Sequence, residues 1–306
     1  MIPNPFFRLA ARNRAADVAK HPETRTIGLV LPTGHETGQR MTDSFMMEMI
    51  GHLTEEVVSR GYDLLFSKIP APRKGWLDQL VASGRFDGLL MLGQSDQHDT
   101  INELADHYLP MVVWGERLPG QTYCSIGVDN VYGGRMATEH LLGLGRQHIR
   151  FLGPVDVPEV DSRFRGYLQA MAQAPLSMLQ AGVTTDPILC SFTHDSAYEA
   201  MHAALHRDEK IDALFCASDV IAGGARMAIF ESRRRVPEDI ALMGFDDVAM
   251  AQNMSPPLST IKQDLALAAK VMIDLLFRRM KGEETPPSVI PAKLMIREST
   301  VGARPV

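Results

Sequence analysis

Two short apolar runs constrain this chain more than any other feature. Leu214-Phe-Cys-Ala-Ser-Asp219 and Ala241-Leu-Met-Gly-Phe-Asp-Asp247 both stop at polar residues. One helix-length segment, closed by Val236-Pro-Glu-Asp239, separates them. Unbroken apolar runs of this length suit strands buried on both faces, as in a parallel sheet covered by helices. Ligands of such sheets sit beyond the carboxyl ends of the strands, which makes Ser218, Asp219 and Asp246 candidate contacts. A carboxylate just after a strand equally serves to cap the next helix, and these residues alone leave both roles open.

The same rhythm runs through most of the chain. Strands are expected at 26–31, 63–67, 87–92, 111–114 and 125–129, alternating with helices at 43–60, 75–83, 100–107 and 130–144. It then restarts, with strands at 148–153, 188–190, 213–216 and 240–243 and helices at 162–181, 196–206 and 218–232. The helix at 162–181 contains Pro175, where a break is expected. A long helix at 264–280 and closing strands within 288–298 finish the pattern. Two successive α/β units of similar size predict two doubly wound parallel-sheet lobes, with a ligand cleft between their strand ends.

The 306 residues are ample for two domains, and 45% hydrophobic with 22% charged residues describes a globular chain. A net charge of −6 argues against a surface that binds nucleic acid broadly. Cys124, Cys190 and Cys216 form no CxxC pair, which suits buried thiols in a reducing cytoplasm. With no signal sequence and no run of transmembrane length, a cytoplasmic location and no membrane partner are expected. Residues 4–16 form a basic stretch with Asn4 and Pro5 placed like a helix start. Its Arg8 and Arg12 are spaced to share one helix face.

Catalytic signatures are missing from the sequence: no GxxxxGK[ST], strand-linked GxGxxG, HExxH or GxSxG. Gly133-Gly134 and Gly223-Gly224 fall inside helices, where close packing accounts for them. His202 and His206, four residues apart, could seat a metal, but no third ligand accompanies them. Asp219, Asp246 and Asp247 have no nucleophile or metal beside them, so binding hydroxyl groups is the more economical role than acid–base chemistry. The chain is expected to be no enzyme and to need no cofactor and no metal.

Phe215-Cys-Ala-Ser-Asp-Val-Ile-Ala-Gly-Gly224, Val236-Pro-Glu-Asp-Ile-Ala-Leu-Met-Gly-Phe-Asp-Asp247 and Pro256-Pro-Leu-Ser-Thr-Ile-Lys-Gln263 resemble the LacI/GalR family of bacterial transcriptional regulators. The resemblance extends back through Val128-Asp-Asn130, Leu141-Leu-Gly-Leu-Gly145, Ser162-Arg-Phe-Arg-Gly-Tyr167 and Arg25-Thr-Ile-Gly-Leu-Val-Leu-Pro32 to Pro3-Asn4, nearly the whole chain in order. It implies a type I periplasmic-binding-protein-like core of two lobes joined by three crossovers, near 153–154, 262–263 and 282–287. The implied division is a hinge-helix and linker remnant at 1–24, an N-terminal lobe of 25–153 plus 263–283, and a C-terminal lobe of 154–262 plus 284–306. A small effector, a mono- or disaccharide, would bind the cleft of a homodimer and control operator DNA binding.

Carried over by position, the resemblance implies effector contacts at Arg163, whose guanidinium can fork onto two hydroxyls, and at Asp246, which can accept from a vicinal diol. Ser218 stands where the family usually has asparagine, and Phe192 where an aromatic often packs on a ligand ring. Phe45 and Trp114 would line the first lobe's side. Asp129 and Asp219 are assigned to helix capping. The family's helix-turn-helix would precede Pro3-Asn4 and is not in this sequence, so a truncated core that alone binds operator weakly or not at all is expected. Asn4, Arg8 and Leu9 would belong to the DNA-contacting hinge, Leu9 lying beside the minor-groove wedge position at Ala10. A sugar-binding protein feeding a transporter shares the fold and is the alternative, although the basic start opposes it.

Overall fold

The structure, a computed structural model, describes residues 23–33, 43–70, 75–94, 96–174, 184–207 and 210–302. The described chain divides into two compact α/β units. Gly51–Gly127, Ala266–Ser288 and the described residues before 34 form one. Residues 43–50, Val128–Leu265 and 289–302 form the other.

The first unit is built from β1 (Thr26–Thr33), the part of α1 (Ser44–Val58) from Gly51 onward, β2 (Asp63–Pro70), α2 (Trp76–Ala82), β3 (Gly88–Leu92), α3 (His98–Ala105), β4 (Met111–Trp114) and β5 (Ser125–Val128). Its sheet has the order β10-β5-β4-β3-β1-β2, with β10 (Ser288–Ile290) arriving from the far end of the chain. Strands β1 to β5 pair in parallel. Every residue of β3 and β4 is buried, which is why these strands read as unbroken apolar runs. On one face Leu89, Met91, Met111 and Val113 pack with Leu77 and Leu80 of α2 and Ile101 and Leu104 of α3.

The second unit holds α4 (Asn130–Gly143), β6 (Ile149–Leu152), α5 (Pro158–Gln173), α6 (His194–His206), β7 (Ala213–Cys216), α7 (Asp219–Glu231), β8 (Ala241–Asp246), α8 (Ala249–Asn253) and β9 (Ser259–Lys262). After α9 (Leu265–Met280) in the first unit come β11 (Lys293–Met295) and α10 (Glu298–Val301). The sheet order is β11-β9-β8-β7-β6, parallel except for β11 against β9. Phe151 lies at the centre of an aromatic cluster, with ring centroids 5.1 Å from Phe164, 5.9 Å from Tyr167 and 5.2 Å from Phe215. The Tyr167 hydroxyl donates to the Ile149 carbonyl at 2.8 Å, so burying this tyrosine leaves no polar group without a partner.

Several expectations are corrected. The first crossover lies at Gly127–Val128, not near 153–154, so α4 and β6 belong to the second unit. The reason is the contact between α4 and α5. A Cβ at Gly134 would overlap the Arg163 carbonyl, and one at Gly166 the Val131 carbonyl, so the two helices meet backbone to backbone. The first unit also keeps the chain beyond 283. Arg279 Nε donates to the Leu109 carbonyl at 2.8 Å, and Thr285 Oγ1 to Cys124 Sγ at 3.3 Å.

The helix expected at 162–181 instead starts at Pro158, a residue suited to the first helical turn, and ends at Gln173. Ala174 is extended (ψ 135°), as proline at the next position requires. The segment 188–190 makes a single bridge, Ile188 to Leu152, because the Ser191 N–H turns away to Ser196 Oγ at 3.0 Å. Strand β9 and helix α8 were not expected. The cysteines are free thiols, with Cys124 and Cys216 buried.

Phe151 is fully buried, so Phe151→Ala leaves a cavity that the surrounding rings cannot close. Its expected cost is ~3–5 kcal/mol, read as a lower urea midpoint for the second unit.

Candidate functional site

The end of β8 carries a cluster of buried polar groups. Asp246 and Asp247 both adopt positive φ, 118° and 60°, a conformation that costs side-chain-bearing residues about 1–3 kcal/mol. Two tethers hold this turn. Arg297 Nη2 donates to Asp247 Oδ1 at 2.6 Å, and the Gln263 N–H to the Asp246 carbonyl at 3.1 Å. Asp246 is 6% exposed, and its side chain accepts from Gln263 Nε2 at 2.6 Å.

Arg163 comes to this point from α5. Its Nε donates to Asn130 Oδ1 at 2.9 Å and its Nη1 to the Ala217 carbonyl at 2.6 Å. The guanidinium lies 3.7 Å from the Phe245 ring centroid, and Nη1 is 3.8 Å from Asp246 Oδ1. Donors are thus spread over a carbonyl, an amide and an aromatic face, which fixes the plane of the fork. Burial raises the Asp246 pKa to about 7. Arg163 works against that rise, and Asp43 and Glu48 add to it by charge repulsion. Burial wins because the carboxylate loses more hydration than one cation at 3.8 Å restores.

The helix cap expected of Asp219 is made by Ser218 instead. Ser218 is the N-cap of α7, its hydroxyl accepting from the Ile221 N–H at 3.3 Å. Asp219 is fully buried and fastens the start of α8 to strand β9. It accepts from the Val248 N–H at 3.0 Å and from Thr260 Oγ1 at 2.6 Å. Its pKa is pushed well above the usual range, chiefly by burial and then by the nearby Asp246. Asp129 caps α4 as expected, accepting from the Tyr132 N–H at 2.8 Å.

A cavity of about 270 Å³ opens beside the starts of α6 and α7. Phe192, Val220 and Met250 form its apolar side. Asp43, Ser44, Thr193, His194 and Asp195 form its polar side, with no lysine or arginine among the described lining residues. Phe192 therefore stands at a cavity. Phe45, 9% exposed, follows Asp43 and donates its N–H to that carboxylate at 2.9 Å. Trp114, 6% exposed, ends β4 in the first unit. Asn4, Arg8 and Leu9 lie outside the described residues.

Sequence reasoning missed Asn130 and Gln263 as partners of Arg163 and Asp246. Both sit just past a strand end, but a single amide carries no pattern of its own. His202 and His206 stack at 4.0 Å, and among the described residues no group of three or more side chains could hold a metal. No helix among them is long and apolar enough to cross a membrane.

Comparison with known proteins agrees with this geometry. Residues 138–300 match the profile of the periplasmic binding protein-like domain. The HTH-type transcriptional regulator CelR of Thermobifida fusca is 32% identical over 301 residues, covering 94% of this chain and 84% of that one. The HTH-type transcriptional repressor PurR of Histophilus somni (strain 2336) is 32% identical over 287 residues, 90% and 81% of the two chains. A LacI-family regulator from Sanguibacter keddieii superposes with a TM-score of 0.76 at 27% identity, over 92% of this chain and 100% of its own. The chain belongs to the LacI/GalR family of transcriptional regulators. Another family structure, a CelR–cellobiose complex, gives a TM-score of 0.76 at 27% identity, covering 97% and 91% of the two chains.

The raised pKa of Asp246 in this LacI/GalR chain has a measurable consequence. The folded protein holds that proton more tightly than the unfolded chain does. The associated stability is therefore present at acid pH and is lost as pH rises from the ordinary carboxylate range, ~4, to about 7. Asp246→Asn keeps an acceptor for Gln263 and does not ionise. Its melting temperature should gain on that of the unmodified protein across this interval and run parallel to it above pH 7.5. Parallel curves from pH 4 upward would exclude the raised value.

Proposed function

We propose that this chain is the effector-binding and dimerisation core of a repressor of sugar-utilisation genes. The full-length repressor acts in the cytoplasm as a homodimer and binds operator DNA through its helix-turn-helix, a task not expected of this chain alone. The observation that carries the proposal is the buried juxtaposition of Arg163, Asp246 and Gln263 at the end of β8. It sets a guanidinium fork and a carboxylate within reach of one another, a pairing suited to sugar hydroxyls. The CelR–cellobiose complex and the regulator names of its relatives support a sugar-responsive regulator over a transporter's binding protein.

In this reading Arg163 and Asp246 hold adjacent hydroxyls of a mono- or disaccharide. Ser218 donates its remaining hydroxyl proton, and Phe192 packs on the apolar face of the ring. Phe45 adds apolar surface. The acidic lining of the cavity, with Asp43 and Asp195 and no lysine or arginine among its described residues, favours a neutral effector over a phosphorylated or carboxylated one. The protein is a switch operated by binding, and none of these groups is assigned a step in a reaction.

Because bound ligand stabilises only the folded state, the effector should raise the melting temperature by several degrees at saturating concentration. A thermal-shift panel of glucose, galactose, cellobiose and lactose should contain at least one such sugar. Asp246→Ala and Arg163→Lys should each remove most of the shift while the proteins remain folded by circular dichroism. A broad sugar panel that leaves the transition unmoved would sink this reading and direct attention to nucleosides.

A further inference from the structure

We infer that Gly223, which contributes no side chain to the cavity, controls the shape of its wall and thereby effector selectivity, acting through Met250 and His194. The inference rests on the reading of this cavity as part of the effector site. Helix α7 carries two adjacent glycines that face different neighbours. A Cβ at Gly224 would overlap the His194 backbone carbonyl and lie 3.0 Å from Ala197 Cβ, so α6 and α7 cross there without room for a side chain.

Gly223 differs in kind. A Cβ at this position would lie 3.3 Å from the terminal methyl of Met250 and 3.5 Å from His194 Cδ2. Both are side-chain atoms, and both residues line the cavity. Met250 is flexible along its length, and its sulfur receives the Ser44 hydroxyl at 3.8 Å, another lining group. A methyl at 223 is therefore accommodated by a shift of a few tenths of an ångström in the flexible end of Met250, with the His194 ring in ordinary van der Waals contact, and not by moving backbone. Alanine also has the better helix propensity, so the substitution should not weaken α7. Glycine at 224 is required by packing, whereas glycine at 223 leaves the positions of Met250 and His194 adjustable. Gly223 is a positioning residue for the wall.

The test compares Gly223→Ala with the unmodified protein, using glucose and cellobiose as the probes. The unliganded melting temperature should be unchanged or higher. The ratio of cellobiose to glucose affinity, by calorimetry, should change by roughly tenfold, the lower end of what one methylene does in a pocket. Gly223→Ala with Met250→Val, which returns space to the wall, should bring the ratio back. The Met250 methyl and His194 ring resonances of the ligand-free protein should move in Gly223→Ala. An unchanged ratio in a protein that binds either sugar overturns the inference, and so do unmoved resonances. If neither sugar binds, the ratio is read with the panel sugars that do; if no sugar of the panel binds the unmodified protein, the effector reading fails by itself, and the two resonances still decide whether Gly223 governs these side chains.

Discussion

Two carboxylates buried at one end of the second sheet are the constraint around which that unit is built. Asp219 and Asp246 lie at the ends of neighbouring strand connections, and both are held above the ordinary carboxylate range by burial. Unpaired charges in such a place would be intolerable, and the surrounding chain is arranged to supply donors. Thr260 and the Val248 N–H satisfy Asp219, while Gln263 and Arg163 attend Asp246. Removing one partner of a buried pair typically costs ~3–5 kcal/mol, although apolar residues in place of both would often be as stable. Stability alone is thus a poor reason to keep such an arrangement. Function is a better one.

Arg163 shows how the cluster depends on helix packing far from its own charge. Its guanidinium is fixed from α4 through Asn130 and from β8 through the face of Phe245. Those supports exist only because α4 and α5 meet where Gly134 and Gly166 leave space for backbone. Gly133 extends the same logic, since a Cβ there would press on Phe245 at 2.9 Å. Small residues in two helices and an aromatic in a strand therefore fix one charged fork. The cavity wall repeats the pattern with Gly223, Gly224, Met250 and His194.

Much of this was legible in the sequence. Apolar runs such as 88–92 and 213–216 are continuous because parallel strands bury both faces, and each was located within a residue or so. Pro175 marked the end of α5, and Asp129 the start of α4. Strand β9 was missed because Ser259 and Thr260 look like surface residues. They are buried as hydrogen-bonding partners, Ser259 with the Arg297 backbone and Thr260 with Asp219. The crossover misplaced to 153–154 failed for a related cause. Alternation of strand and helix continues unchanged through Gly127, and nothing local says that α4 turns to a different sheet.

The order of residues thus determined the alternation of elements, the two-unit class and the family, because hydrophobic period and motif spacing are properties of neighbours along the chain. It also singled out Arg163 and Asp246. Tertiary structure decided which unit owns α4, that Ser218 and not Asp219 caps α7, and that Asn130 and Gln263 complete the cluster. Those outcomes depend on residues far apart in the chain competing for the same buried donors and the same space between helices. Such a competition leaves no periodicity to read, and it is settled only when the groups are packed together.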